Sequence, residues 1–195
     1  MTKKADTSYP VIDLIRSRWS PRVFSDREVS DESLMTLFEA AGWAASSMNE
    51  QPWRFMYFRK GTESYDRIYE CLARFNKQWV KNAPVLVVTV YKKQFASGKE
   101  NFHAMHDLGL AVGNLSLQAH SMGISVHQMA GIDWKKVHAE FNIPEDEYHV
   151  TTAIAIGYYG GDPDDLPEDL QKSERGPRKR KKLEEFVFSG AWRDD

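Results

Sequence analysis

The sequence predicts an α+β fold in which helices surround a single sheet. Helical and strand patterns alternate along the chain, but they do not form regular strand–helix–strand units. No glycine-rich dinucleotide fingerprint follows any predicted strand, which disfavours a doubly wound sheet. The 195 residues are ample for a sizeable core, so we expect a single domain over 1–195 with a C-terminal arm from about 162.

Three helices and one strand are predicted in the first part of the chain. Pro10 suits the first turn of a short helix. Ser30 is a good N-cap for a helix over 31–44, in which apolar residues recur at helical spacing. Aromatic content predicts a strand over 53–58. The amphipathic pattern over 62–78 predicts one continuous helix.

The second part of the chain predicts three strands and two helices. Residues 85–90 are apolar on both faces, which is typical of a central strand. The long helix over 101–122 is apolar nearly all round, so it must be covered on several sides. Strands are predicted over 124–128 and 149–158, and Asp133 is expected to cap a helix between them.

Composition and charge narrow the class of protein. Hydrophobic residues make up 42% and charged residues 28%, which is typical of a soluble globular domain. No apolar run approaches the ~20 residues that cross a bilayer, and residues 1–9 lack the apolar core of a signal peptide. Cys71 is the single cysteine, so no internal disulfide can form. We therefore expect a cytoplasmic protein with no membrane partner.

The segment Arg18-Trp-Ser-Pro-Arg22 places two guanidiniums and a hydroxyl within five residues. Guanidinium forks match the oxygens of a phosphate group, and Ser20 adds a neutral donor. The alternative interpretation is a solvated loop with surface ion pairs. Arg16, two residues earlier, offers a competing register.

The tail changes character twice. An acidic stretch over 162–174 is followed by a basic run over 175–182 and an apolar end over 183–192. The basic run, with Arg178 and Arg180, is a solvated charge run, a nucleic-acid patch or a second group of anion ligands. No aromatic residue lies within it and the formal net charge of the chain is -2, so we expect no nucleic-acid partner.

Two further groups of polar residues are candidate ligands. Asn49 and Asn76 lie at helix ends, where an amide either caps the helix or reads the edge of a heteroaromatic ring. His103, His106 and Asp107 share one helix face, but no further ligand at metal-site spacing is evident. We therefore expect no metal.

Seven short motifs follow one another along nearly the whole chain. The first is Arg18-x-Ser20-x-Arg22-x-Phe24, and the second is Ala44-Ala-Ser-Ser-Met-Asn-Glu-Gln-Pro-Trp53. The other five lie at 76–84, 107–111, 128–133, 155–158 and 178–185. Each motif alone has low specificity, but in this order they resemble the nitroreductase family of FMN-dependent NAD(P)H oxidoreductases.

The resemblance implies a mixed, mainly antiparallel sheet surrounded by helices, and an intertwined homodimer with two FMN sites at the subunit interface. The arm from about 162 would reach the partner subunit, and Gly109 and Gly113 would let the long helix approach its symmetry mate. The residues that the resemblance assigns to the cofactor are Arg18, Trp19, Ser20, Arg22, Ser46, Ser47, Asn49, Asn76, Gln128, Met129, Ala130, Gly131, Arg178 and Arg180.

The resemblance also implies a role for each part of this set. Arg18 and Ser20, with the two tail arginines, would hold the phosphate. Arg22 would lie near the pyrimidine edge of the flavin, and Asn76 would hydrogen-bond that edge. The loop 46–49 would come from the other subunit, and the backbone of 129–131 would line the side of the ring that carries N5.

The implied reaction is ping-pong hydride transfer. NADH or NADPH reduces the flavin and leaves, and a nitroaromatic, quinone or similar acceptor then takes its place. The flavin carries the chemistry, so we expect no indispensable catalytic side chain. The alternatives are the same fold with enone reduction or reductive dehalogenation, and a non-catalytic binding protein with a basic tail. Ala45 and Lys182 stand where the family commonly has proline.

Overall fold

A computed structural model describes residues 3–193 of the chain. The helices of this part are α1 (Asp13–Ser17), α2 (Asp31–Gly42), α3 (Glu63–Glu70), α4 (Arg74–Val80), α5 (Ala104–Ser121), α6 (Trp134–Glu140) and α7 (Glu168–Arg175). The strands are β1 (Trp53–Arg59), β2 (Val85–Lys92), β3 (Ile124–Met129) and β4 (Tyr148–Tyr158). All neighbouring strands are antiparallel, in the order β1-β2-β4-β3. The predicted α+β fold with an antiparallel sheet and surrounding helices is confirmed.

The core lies on both faces of this sheet. Alternate residues of β2 point into two separate apolar clusters, because successive side chains of a strand face opposite ways. Leu86 and Val88 belong to the cluster that contains Trp79, whereas Val85 and Val87 belong to the cluster under α2 and α5. The prediction that this strand is central and buried on both faces is therefore confirmed.

The predicted continuous helix over 62–78 is wrong, because the chain breaks between α3 and α4. At the break the backbone pairs with another segment instead of with its own preceding turn. Asp133 N donates to the Cys71 carbonyl at 2.8 Å, and Ala73 N donates to the Gly131 carbonyl at 2.9 Å. Leu72 forms an isolated bridge with Ile132. This pairing places the start of α4, and with it Asn76, beside the segment that follows β3.

Helix α5 packs on the sheet with one side and leaves another side uncovered within the chain. A Cβ added at Gly109 or Gly113 would meet no atom within 4 Å. Leu110, between them, is 41% exposed. The apolar surface that the sequence predicts for this helix is therefore only partly buried in one copy of the chain.

The two parts of the tail differ in how far they are buried within their own chain. Residues 162–175 pack on their own chain through Leu166, Leu170 and Glu174, which are buried on one side of α7. Leu170 and Glu174 share one face of α7 because they are four positions apart, and Leu166 lies just before the helix. Beyond Gly176 the apolar side chains are mostly exposed, among them Phe186 and Trp192. The prediction that the chain from about 162 reaches a partner stays a prediction, and the exposed apolar part of that segment begins after Gly176.

Candidate functional site

A cavity of about 230 Å³ is lined by basic side chains from three distant parts of the chain. Residues 18–22 supply one wall, the tail supplies a second wall, and Lys3 closes a third side. The lining residues are Lys3, Arg18, Trp19, Ser20, Arg22, Ser173, Glu174, Gly176, Pro177, Arg178 and Arg180. The structure thus brings together the two cationic groups that the sequence singles out.

Segment 18–24 is held in place by contacts with the C-terminal end of β4 and with β3. Phe24 forms an antiparallel bridge with Tyr159, and Ser25 N donates to the Tyr158 carbonyl at 2.9 Å. His127 of β3 lies under the segment, with Nδ1 donating to the Pro21 carbonyl at 2.9 Å and its ring 4.4 Å from that of Trp79. Burial lowers the pKa of His127 to about 4, so at pH 7 the imidazole is neutral and contributes a hydrogen bond without a charge.

The tail is tied to the same place from the other side. Arg178 Nη1 donates to the Lys3 carbonyl at 3.1 Å and also to the Arg16 carbonyl. The side chain of Arg16 does not line the cavity; its Nη1 is 3.4 Å from Asp13 Oδ1. Within this chain, the register that starts at Arg18 is therefore the one that faces the cavity.

Three guanidiniums in this cavity oppose one another electrostatically. Burial, together with the charge of Arg180, lowers the pKa of Arg18. Burial and the charges of Arg18 and Arg180 likewise lower the pKa of Arg178. An anion placed among them would relieve this repulsion. Arg22 Nε is also buried without a hydrogen-bond partner in the described part of the chain, and such a donor is uncommon unless a ligand uses it.

A second group of predicted residues meets at the break before α4. Asn76 is 6% exposed, and its Nδ2 donates to the Gly131 carbonyl at 2.9 Å. A Cβ at Gly131 would come within 2.7 Å of that same nitrogen, so glycine is required for this close approach. The Met129 side chain is buried in the core, which leaves only its backbone for a ligand, whereas Ala130 is exposed.

Gln128 joins this group to α5. It is exposed on β3, next to the partly buried His127, and its Nε2 donates to Ser116 Oγ at 3.4 Å. Since His127 contacts Pro21, a short run of β3 connects the basic cavity with the segment that carries Gly131. His127 also contacts Trp79 of α4, the helix that carries Asn76.

The loop between α2 and β1 has an unusual backbone. Met48, Asn49 and Gln51 have φ of 53°, 56° and 50°, a region that residues other than glycine rarely occupy. Among the hydrogen bonds that hold it, Asp107 Oδ2 accepts from Ser47 N at 2.9 Å, and Ser46 Oγ accepts from Gln51 N at 3.1 Å. Strain of this kind concentrates at functional sites.

The structure does not bring this loop to the basic cavity within one chain. The loop contacts α5 at Asp107. Ser17, the residue before Arg18, contacts α5 at His120, with its Oγ 2.8 Å from the imidazole Nε2. These two positions are thirteen residues apart on α5, which is about 20 Å along the helix axis. Ser46, Ser47 and Asn49 therefore lie far from Arg18 in the same copy.

Two features are absent from residues 3–193. None of the helices there combines the length and apolar character that a membrane crossing requires. No three His, Cys, Asp or Glu side chains there lie close enough together to hold a metal ion.

Comparison with known proteins gives a consistent result. The model described as "Nitroreductase family" matches residues 15–76 and 66–158. A solved structure described as an oxidoreductase containing FMN has a TM-score of 0.92 and 34% identity, covering 100% of this chain and 99% of its own. A protein of Ralstonia nicotianae, named as a candidate NADH dehydrogenase/NAD(P)H nitroreductase, is 26% identical over 155 residues, which are 70% of this chain and 78% of that protein.

A third match shows the fold alone. It is an FMN- and NADPH-dependent nitroreductase from Sphigopyxis sp. strain HMH, with a TM-score of 0.71, 17% identity, and coverage of 92% of this chain and 98% of that one. The family model spans well over half of this sequence, and the structural match at 34% identity spans all of it. This chain belongs to the nitroreductase family.

Proposed function

We propose that this protein is an FMN-dependent oxidoreductase that transfers electrons from NADH or NADPH to a nitroaromatic, quinone or similar acceptor. Membership of the nitroreductase family places it among oxidoreductases. The relative at 34% identity is described as containing FMN. The observation that carries the proposal is the basic cavity, where four arginines, a lysine and two serines from both ends of the chain line one space.

The cavity residues fit a phosphate dianion. The guanidiniums of Arg18, Arg178 and Arg180 would form charge-assisted hydrogen bonds to its oxygens and offset one another's repulsion. Ser20 Oγ already accepts a hydrogen bond from Arg18 Nη1 at 3.3 Å, so its own proton remains to be donated to an anion. Trp19, with its ring 5.5 Å from that of Tyr159, forms an aromatic wall.

The remaining half of the site fits the ring of a flavin. The unpartnered Arg22 Nε would donate to its pyrimidine edge, and Asn76 would meet the same edge. The backbone at Gly131, which has no side chain in the way, would lie along the ring. When bound, FMN supplies reversible two-electron chemistry, while the residues of this chain bind and orient it.

We further propose that the site is completed in a homodimer. In each copy the strained loop and the segment that begins the basic cavity contact α5 at positions about 20 Å apart along its axis, so we infer that a partner's loop is the one that reaches Arg22 and Asn76. The open face of α5 at Gly109 and Gly113 is suited to a symmetry mate. The exposed apolar residues include Ile12, Ile15, Trp43, Met48, Phe102, Met105, Leu183, Phe186, Val187 and Trp192.

An anaerobic titration tests the proposed reaction. Protein loaded with FMN should lose its visible flavin absorbance when NADH or NADPH is added, and should regain it when a nitroaromatic or quinone follows. Recovery with an enone or a halogenated compound alone would favour the alternative flavin reactions. A protein that takes up no FMN, yet binds DNA with a steep dependence on salt, would be a binding protein instead.

A further inference from the structure

Glu174 is an acid inside the basic cavity. It lies on α7, and its side chain is only 1% exposed. A carboxylate that is removed from water in this way is costly unless charges or donors compensate it. Its compensation comes from residues that the proposed function assigns to the cofactor, so its charge bears on that site.

The contacts of Glu174 are with the backbone and head of Arg22. Arg22 N donates to Oε1 at 3.2 Å and to Oε2 at 3.1 Å. Arg22 Nη1 lies 3.9 Å from Oε2 and donates to Ser173 Oγ at 3.3 Å. Two neighbouring residues of α7 therefore fix both ends of Arg22, and the buried Nε between them is left without a partner.

We propose that Glu174 is a positioning residue that holds Arg22 toward the cofactor, and that its negative charge opposes the phosphate, so that FMN binding is linked to protonation of Glu174. The inference rests on the proposed function, because it takes the occupant of the cavity to be FMN. It assigns to α7 a role in loading the cofactor.

The charges around Glu174 set the direction of this linkage. Burial raises the pKa of Glu174, while the N–H groups of Arg22 and Val23 and the charges of Lys3 and Arg22 act against that rise. A bound dianion adds a second negative charge to the same cavity, so it raises the pKa of Glu174 further. FMN should therefore bind more tightly when Glu174 is neutral, toward low pH.

Other titratable groups lie nearby and must be separated from Glu174. Tyr159 faces it from the end of β4, and burial raises the pKa of that phenol. His120 and His127 lie beside Arg18 and Arg22, and burial lowers the pKa of both imidazoles. The phosphate of FMN also titrates, near pH 6. All of these groups are present in both proteins, so the part of their titration that does not depend on Glu174 cancels in a ratio of dissociation constants. Tyr159, whose pKa Glu174 also raises, stays neutral from pH 5 to pH 8 in either protein.

The test is the FMN dissociation constant of the wild type divided by that of Glu174→Gln, measured from about pH 5 to pH 8. Quenching of FMN fluorescence by the full-length apoprotein gives each constant. The ratio should be near one at the acid end, where Glu174 is neutral, and should rise with pH to about tenfold, the equivalent of one pKa unit. Glu168→Gln makes the same charge change on the exposed start of the same helix and should give a flat ratio near one.

Two additional measurements separate charge from structure. Glu174→Ala removes the anchor of Arg22 as well as the charge, so it should bind FMN more weakly than Glu174→Gln at every pH. Calorimetry of the wild type with sulfate, which stays dianionic over this range, should show proton uptake in buffers of different ionisation enthalpy, and His120→Asn should retain it. The sulfate measurement does not use the glutamine variant, so it can still be made if that variant does not fold.

The outcomes distinguish this inference from the proposed function. A ratio that stays flat or falls with pH, or sulfate binding without proton uptake, would overturn the role of Glu174 while leaving FMN binding intact. If the wild type itself bound no FMN, the proposed function would fail, and the role of Glu174 would fail with it.

Discussion

Replacing Arg18 by alanine is expected to weaken FMN binding by about 10- to 100-fold. A hydrogen bond to a charged group contributes about 1.5–3 kcal/mol, and every 1.4 kcal/mol is a factor of ten in affinity. Arg18 interacts with several groups around the cavity. It donates a hydrogen bond to Ser20, and its charge lowers the pKa of both Arg178 and His120. Loss of the guanidinium therefore removes a ligand and also changes the field at its neighbours.

The matched control for this substitution is Arg16→Ala. Arg16 is two residues away and carries the same charge, but its side chain pairs with Asp13 at 3.4 Å and lies outside the cavity lining. Its carbonyl, which accepts from Arg178, is retained in the variant. Equilibrium dialysis of FMN should separate the two variants. Equal losses, or a larger loss for Arg16→Ala, would contradict the assignment of the phosphate to Arg18.

Removal of the chain after Gly176 is expected to lower FMN affinity and to weaken the dimer together. The deletion takes away Arg178 and Arg180, two of the cations of the cavity. It also removes the exposed apolar segment from Leu183 to Trp192, whose side chains have little cover within their own chain. Helix α7 and Glu174 remain, so the core of the subunit should stay folded.

The double variant Arg178→Ala/Arg180→Ala separates the two effects. It should lose FMN affinity but stay a dimer, because the apolar end of the tail is unchanged. Sedimentation velocity at several protein concentrations measures the assembly, and dialysis measures the cofactor. A truncated protein that remained a dimer with its full complement of FMN would show that the tail serves neither purpose.

The sequence predicts those elements of the fold that depend on local pattern. Ser30 and Asp133 cap their helices as expected, with their side chains accepting from Ser33 N and Lys136 N. The break between α3 and α4 was not predictable in this way. It contains neither glycine nor proline, and its backbone bonds go to Gly131 and Asp133, about 60 residues away along the sequence.

The predicted anion-binding residues meet in one cavity, but several of its walls were not predicted. Lys3 and Ser173 belong to none of the sequence motifs. Glu174 belongs by composition to the acidic run of the tail, and the one sequence signal for its burial is its spacing of four residues from Leu170. His127 was missed because its partner, the Pro21 carbonyl, is set by tertiary structure.

In the proposed homodimer, one subunit binds the phosphate while the strained loop of the other completes the same site. Two variants disable different halves: Arg18→Ala breaks the cavity, and a triple alanine substitution at Ser46, Ser47 and Asn49 removes the polar side chains of the loop. In a homodimer of either variant both sites are damaged. In a mixed dimer with one subunit of each, a shared site predicts one intact site and one doubly damaged site.

The deciding measurement is the amount of FMN held by the mixed dimer, purified through two different affinity tags. A shared site predicts one tightly bound FMN per mixed dimer, with little in either parent homodimer. A mixed dimer as empty as both parents would show that each site is built within one chain. That result would contradict the shared site.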